Sequence, residues 1–392
     1  MTSTALSAVR WNYPTEVWFG PGRIQTLAAL AESKEIRRPL VVTDRSLAQL
    51  PVFPSILAPL EAAAVPYAVF SEVDANPVGT NVEAGVQMFR DGGHDGVIAV
   101  GGGSPLDVGK AIALMAGQTL PLWDFEDVGD NYLRVDPAGV RPVIAVPTTA
   151  GTGSEVGRSS VITHADEGRK VIIFHPKMVP VAALLDAELT VGLPPRLTAA
   201  TGIDAASHCL EAYCAPGFHP MADGIAVEGL RLVHRSLRPA YRDGADLAAR
   251  GEMLVASLMG ATAFQKGLGA MHAMSHPLGA RLGTQHGETN AVVMPYVLAS
   301  NRPVIEDRIA DLARALGMKP SFDAFLEWVL ELRAEFGIPH TLAGLGMTEA
   351  HIPTLAPMAA VDPAGGGNPA PLDEAGYAQL FAEALEGKLA GA

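Results

Sequence analysis

The stretch Gly96-Val-Ile-Ala-Val-Gly-Gly-Gly-Ser-Pro-Leu-Asp-Val-Gly-Lys110 decides the fold. Its apolar start reads as a buried parallel strand. The three glycines that follow end the strand, and Pro105 is well placed in the first turn of a helix expected over 105–116. Glycines let backbone approach an anion closely, and the free N–H groups and positive end of a helix favour phosphate. A strand, a glycine turn and a helix in that order suit a dinucleotide pyrophosphate at the carboxyl ends of parallel strands. The spacing is neither GxGxxG nor the ATP-hydrolysing P-loop, because Ser104 stands where the first P-loop glycine belongs and Ala111 where its last Ser/Thr belongs.

Outward from this run the same alternation repeats. Pro39–Thr43, Tyr67–Phe70 and Pro142–Val146 read as further buried strands, and helices are expected at about 24–31, 47–63 and 80–91. Strands alternating with helices predict a parallel, doubly wound sheet with helices on both faces. Ser160–Thr163 and Val171–Phe174 flank a charged turn and predict an antiparallel hairpin, and a last strand-like run ends at Asp186. After Leu193-Pro-Pro195 the strand-like runs largely vanish. Ala/Leu-rich segments at roughly 197–214, 221–237, 245–264, 304–316, 321–336 and 374–385 predict helices. The reading is an α/β domain over 1–194 and an all-helical domain over 195–392, with Val361–Pro371 as a loop.

At 392 residues, 48% hydrophobic, the chain can bury two sizeable cores. A formal net charge of −14 and no basic run longer than Arg37-Arg38 argue against nucleic acid or an anionic membrane as partner. No stretch approaches the length of a membrane span, and the N-terminal residues lack the pattern of a signal peptide, so the expected location is the cytoplasm. Cys209 and Cys214 form neither a disulfide framework nor a CxxC motif, and they read as buried thiols.

A second wall for a cofactor is Pro147-Thr-Thr-Ala-Gly-Thr-Gly-Ser-Glu-Val-Gly157, which follows another buried strand. Its small hydroxyl residues and glycines suit contact with ribose, phosphate or amide. Asp44, at the end of the first clear strand, is placed to accept from a ribose hydroxyl and to repel a 2′-phosphate, which favours NAD over NADP.

The helical half carries the metal-like residues. Asp204 and His208 stand four apart in Gly202-Ile-Asp-Ala-Ala-Ser-His-Cys-Leu-Glu-Ala-Tyr213, so on a helix they point the same way. Lys266–Asn290 holds three of the eleven histidines, His272, His276 and His286, among glycines. His272 and His276 share a helix face, and Pro277 limits how regularly that helix continues. One carboxylate and several imidazoles suit a divalent first-row metal. The residues alone leave open whether His276 or His286 completes the set.

The ordered motifs GGGSPLDVGK, PTTAGTGSEV, GIDAASHCLEAY, GLGAMHAMSHPLGA and QHGETNAVVMP resemble the iron-containing (group III) alcohol dehydrogenases over nearly the whole chain, from WFGPG to GGGNP near Asn368. The resemblance implies a dehydroquinate synthase-like fold, an α/β NAD-binding domain followed by an all-α metal-binding domain with the active site in the cleft between, commonly as a dimer or larger homo-oligomer. It makes Asp204, His208, His272 and His286 the metal ligands and leaves His276 beside the reacting carbon as a proton relay. Gly101, Gly102, Gly103 and Ser104 would hold the pyrophosphate with Asp107 nearby. Thr148, Thr149, Thr152 and Ser154 would line the nicotinamide side, Asp44 would match the NAD-preferring position, and Asn76 would lie near the cleft. The implied ion is Fe(II), although zinc takes the same donors. The implied reaction is hydride transfer between NAD(H) and a short-chain primary alcohol or aldehyde, with the metal polarising the substrate oxygen.

Two features bear on the substrate. Arg158, Lys266 and Arg281 lie in or beside the motifs and could together receive a carboxylate or phosphonate, making a short anionic aldehyde the alternative substrate. Many family members carry a cysteine near the GNP segment, and this chain has none there. Rival readings are a glycerol dehydrogenase-like relative and a nucleotide sensor without turnover, and the second has no use for a full ligand set.

Overall fold

The computed structural model describes residues 12–13 and 15–389. They pack as two compact units: a sheet unit of Tyr13–Leu193 with Gly244–Leu254, and a helical unit of Pro194–Asp243 with the chain from Val255 onward. Among the described residues no helix is long and apolar enough to cross a membrane.

The sheet unit runs β1 (Glu16–Phe19), α1 (Leu27–Ser33), β2 (Pro39–Asp44), α2 (Val52–Ala62), β3 (Ala68–Val73), α3 (Gly79–Asp91), β4 (Gly96–Gly101), α4 (Gly103–Met115), β5 (Val143–Pro147), β6 (Ser159–His164), β7 (Arg169–Phe174) and β8 (Ala182–Leu185). Six strands form one parallel sheet in the order β1-β8-β5-β4-β2-β3. The expected hairpin is present as β6 and β7, a separate antiparallel pair. Side chains alternate across a strand, and here both faces are covered. Val97 and Ala99 of β4 join a core with Val82, Phe89 and Ile112, while Ile98 and Val100 join another with Leu27, Ile56 and Leu60. Every residue of β4 is buried, which is why the run reads as continuously apolar.

Two sheet-unit helices depart from expectation, and the segment 24–31 opens as a 3-10 turn at Arg23–Thr26 before α1. The segment 47–63 is a 3-10 turn at Leu47–Gln49 followed by α2, because Pro51 cannot donate an amide and breaks the run.

Helix α4 is tied to the chain that follows β5. Lys110 is almost fully buried, and its ammonium donates to the carbonyls of Ser154 and Ser159 and pairs with Asp107 Oδ1 at 3.2 Å. Asp107 in turn accepts from Ser154 Oγ at 2.5 Å and from the Val161 amide at 2.9 Å. Taking the Lys110 charge out of water requires these partners. Next to Ser154, Glu155 is buried, and burial pushes its pKa up to about 7 against the opposing pull of its own backbone amide and of Lys110.

The helical unit contains α5 (Pro195–Cys214), α6 (Pro220–Arg242), the end of α7 (Leu247–Ala263), α8 (Ala270–Leu282), α9 (His286–Ala315), α10 (Phe322–Glu335), α11 (Ile352–Ala360) and α12 (Glu374–Glu386). α5 is buried almost along its whole length because neighbouring helices meet it with glycines. A Cβ on Gly229 would lie 2.6 Å from Cys209 Sγ, one on Gly260 3.0 Å from His208 Cβ, and one on Gly287 2.3 Å from the Ala200 carbonyl. Both cysteines are buried in α5, with burial pushing each thiol up to about 12. The helix expected at 304–316 is the tail of a 30-residue α9 that passes through Pro295 and Pro303. Proline signals a break locally, but here the helix is held by burial of its first half. α11 was not expected, and Val361–Pro371 contains a 3-10 turn at Pro363–Gly367.

Glu155 supplies a test of the buried cluster. Its folded-state pKa of about 7 lies above its ordinary 4.5, so its contribution to stability is whole below about 4.5 and is lost as pH rises through about 7. Urea midpoints should therefore fall between those pH values, and Glu155→Gln should flatten the fall. An identical slope in the variant would show that Glu155 is not the group responsible.

Candidate metal centre and dinucleotide cradle

The helical unit brings its metal-like residues to one point. Asp204, His208 and His272, all buried, each offer a ligand atom within 4.8 Å of the others. His286 Nε2 lies 3.5 Å from Asp204 Oδ1, and His272 Nε2 lies 4.0 Å from the same oxygen. The His208 ring stacks on His272 at 4.7 Å and packs beside Phe264 at 5.3 Å. The Asn290 amide nitrogen sits among the inward atoms, 2.8 Å from Asp204 Oδ1, 3.4 Å from His272 Nε2 and 3.3 Å from His286 Nε2. One carboxylate oxygen and two imidazole nitrogens thus gather around a single point, a donor set that fits a divalent cation.

Behind these groups stand two carboxylates that the residue patterns had not singled out. Glu211 Oε2 is 2.5 Å from His272 Nδ1, and its Oε1 accepts from the Met271 amide at 2.7 Å. Burial by itself would lower the His272 pKa, but Glu211, with Asp204 behind it, outweighs this and leaves it raised. A carboxylate on Nδ1 puts the Nε2 lone pair forward, toward the ligand cluster. His276, one turn on, is held the same way by Asp362 Oδ2 at 2.9 Å, and its ring stacks on His286 at 5.6 Å. Glu211 was legible in principle: it is seven residues from Asp204 on the same helix and so on the same face. Asp362, 86 residues from His276, carries no such local signal.

In the sheet unit the two glycine-rich stretches face one another. Gly101 adopts φ +139°, which L side chains rarely take, and its carbonyl accepts from the Thr148 amide at 2.9 Å. A Cβ on Gly103 would lie 2.7 Å from Thr152 Cγ2, and one on Gly102 3.4 Å from Thr149 Oγ1. α4 begins at Gly103 with no side-chain cap on its first amides. Ser104 Oγ donates to the Ala75 carbonyl at 2.7 Å, strapping the loop that carries Asn76 to the start of α4. Asp44 accepts from the Ser46 and Leu47 amides through Oδ1, while its Oδ2 faces Gly101. Asp107 and Ser154, by contrast, are bonded to one another and hold the two walls together.

Each of the three cations has its own surroundings within its unit. Lys266 is buried with its ammonium 2.5 Å from Asp223 Oδ1 and 3.3 Å from the Tyr213 carbonyl, so it is committed to a structural ion pair rather than held out to a substrate. Arg158 lies over the Phe174 ring at 5.4 Å in the sheet unit, and Arg281 is exposed near the end of α8.

Residues 14–187 match the family model described as iron-containing alcohol dehydrogenase, and residues 198–385 match the C-terminal model of the same family. The 4-hydroxybutyrate dehydrogenase of Cupriavidus necator is 39% identical over 95% of this chain and 99% of its own. A crystal structure of 1,3-propanediol oxidoreductase superposes with a TM-score of 0.91 at 34% identity, covering 97% of this chain and all of that one. Sulfoacetaldehyde reductase from Bifidobacterium kashiwanohense, solved with NAD+, gives 0.86 at 29% identity over 96% of this chain and 99% of that one. The ligand cluster, the glycine cradle and these matches agree: the chain is an oxidoreductase and belongs to the iron-containing alcohol dehydrogenase family.

Proposed function

We propose that this enzyme interconverts a short-chain primary alcohol and its aldehyde with NAD(H), residues 1–194 serving the dinucleotide and residues 195–392 the metal. The observation that carries the reading is the convergence of Asp204, His208, His272 and His286 beside a carboxylate-held His276. Those four residues would hold the ion, which we take to be Fe(II), zinc being the other ion such donors accept. When bound, the ion supplies a Lewis acid for the substrate oxygen and the dinucleotide a hydride acceptor or donor.

The chain's own residues do the rest. Gly101, Gly102, Gly103 and Ser104 would receive the pyrophosphate on amides that no side chain caps. Thr148, Thr149 and Thr152 would line the nicotinamide side, with Asp107 and Ser154 fixing their loop. Asn76 would approach the cofactor from the loop that Ser104 straps down. Asp44 would accept from a ribose hydroxyl, which disfavours a 2′-phosphate. Once Nδ1 is occupied by Asp362, Nε2 of His276 is the ring atom left to take the alcohol proton on oxidation and return it on reduction.

A second reading, a short aldehyde bearing an anionic group, is favoured by the names of two relatives, one acting on 4-hydroxybutyrate and one on sulfoacetaldehyde. The commitment of Lys266 to Asp223 removes one of the cations that could serve it.

Three outcomes are expected. Metal-stripped protein reloaded with Fe(II) under anaerobic conditions should oxidise NADH with short primary aldehydes. Comparing a neutral four-carbon aldehyde with its ω-carboxylate analogue by kcat/KM decides between the two substrate readings, and NADH binding with no turnover on any aldehyde would sink both. Glu211→Gln should weaken metal retention about 10- to 100-fold in chelator competition. Met271 N–H fixes the amide oxygen, so the NH2 meets His272 Nδ1 and moves the ring proton onto Nε2. Unchanged metal content would refute this. Asp44→Ala should weaken NADH binding about tenfold while leaving NADPH binding equal or improved, as read by nicotinamide fluorescence; parallel loss of both would rule out a ribose-reading role.

A further inference from the structure

Asp362 has no place in the motifs, and the geometry around it is more constrained than a chance ion pair requires. Its side chain and that of His276 are 13% and 11% exposed. One carboxylate oxygen, Oδ2, lies 2.9 Å from His276 Nδ1; the other, Oδ1, accepts from the Ala364 amide at 2.9 Å and caps the turn Pro363–Gly367. That turn is anchored in its own right. Asn368 and Asn301 exchange two amide hydrogen bonds of 2.9 Å, and Asn368 Oδ1 also accepts from the Ala270 amide at the start of α8. Gly365 lies against α8, where a Cβ would be 3.5 Å from that of Ala273. The carboxylate is therefore held in position and direction by backbone on one side and imidazole on the other.

We propose that Asp362 is a positioning residue that sets the tautomer and ring direction of His276. This rests on the reading of His276 as the proton-handling group. A carboxylate accepts only, so the neutral ring must carry its proton on Nδ1 and present a lone pair on Nε2. Among the described residues Nε2 makes no hydrogen bond of its own, and the ring lies 15° from parallel with that of His286. In the oxidative direction Nε2 would then be the ring atom that takes the proton from the alcohol O–H, and the dinucleotide, when bound, would supply the hydride acceptor.

Two substitutions separate this role from simple support of the loop. Asp362→Asn keeps the shape and cap, but its single oxygen goes to the Ala364 amide, which cannot change role, and its NH2 then meets His276 Nδ1. The imidazole must move its proton to Nε2, the wrong atom. Asp362→Ser keeps a cap and no longer reaches His276, which leaves the ring free to choose either tautomer. Under this proposal kcat falls in the order wild type, Ser, Asn, by about 10- to 100-fold at the extreme. Metal content and NADH binding stay level. Histidine 15N resonances of the metal-free protein, with His276 assigned by difference against His276→Ala, should show the proton on Nδ1 in wild type and on Nε2 in Asp362→Asn. The loss should also vanish in the His276→Ala background, because Asp362 acts through that ring. Wild-type kcat and an unchanged 15N pattern in Asp362→Asn would overturn the proposal, as would an equal loss in the His276→Ala background. If His276→Ala alone keeps full kcat while the 15N pattern still switches, Asp362 sets the tautomer and it is the proton-handling reading that fails.

Discussion

The site depends on a hydrogen-bond arrangement used twice on one helix. On α8, the Nδ1 atoms of His272 and His276 are each gripped by a carboxylate whose other oxygen is held by a backbone amide. Backbone amides cannot reverse their role, so each carboxylate is fixed, and through it each imidazole is fixed in direction and protonation. Lone pairs that must meet a cation or a proton need this constraint, because a free imidazole samples both tautomers. The two carboxylates come from different places, Glu211 from α5 and Asp362 from the turn before α12, so three parts of the helical unit must pack correctly before both rings point forward.

The sheet unit meets a similar requirement with the absence of side chains. Gly102 and Gly103 leave the space that Thr149 and Thr152 would otherwise contest, and Gly101 takes a backbone conformation that L side chains resist. The walls are then held by the buried Lys110 and the partly buried Asp107, an ion pair that also satisfies two carbonyls, a hydroxyl and an amide. Burying that charge is unfavourable by itself, and breaking such a pair is worse than never having had it. The pair therefore resists being lost piecemeal.

Much of this was legible because periodicity and chemistry agree locally. The parallel strands read as unbroken apolar runs since both faces of the sheet are covered, and Asp204 with His208 reads as one helix face from spacing alone. What could not be read is where long-range packing decides. Asp362 lies 86 residues from His276 and meets it where the Asn301–Asn368 pair anchors the turn. Lys266 sits inside the histidine-rich stretch and looks available to a substrate, yet Asp223 on α6 takes it. α9 carries two prolines that locally argue for a break, and tertiary burial overrides them.

The position of His286 beside Asp204 shows the same limit at closer range. α8 continues through Pro277 and ends at Gly283, whose φ of +67° turns the chain sharply. Only Thr284 and Gln285 separate that turn from α9, and Gln285 caps the new helix by accepting from the Glu288 amide. His286 is thus the first residue of α9 and comes back to 5.2 Å from the His272 ring, with Ser275 Oγ 3.2 Å from its Nδ1. Along a single straight helix, residues fourteen apart are separated by about 21 Å. A left-handed glycine between two helices folds that distance away, so the conformation at Gly283 is what lets His286, rather than only the neighbour one turn from His272, reach the ligand cluster.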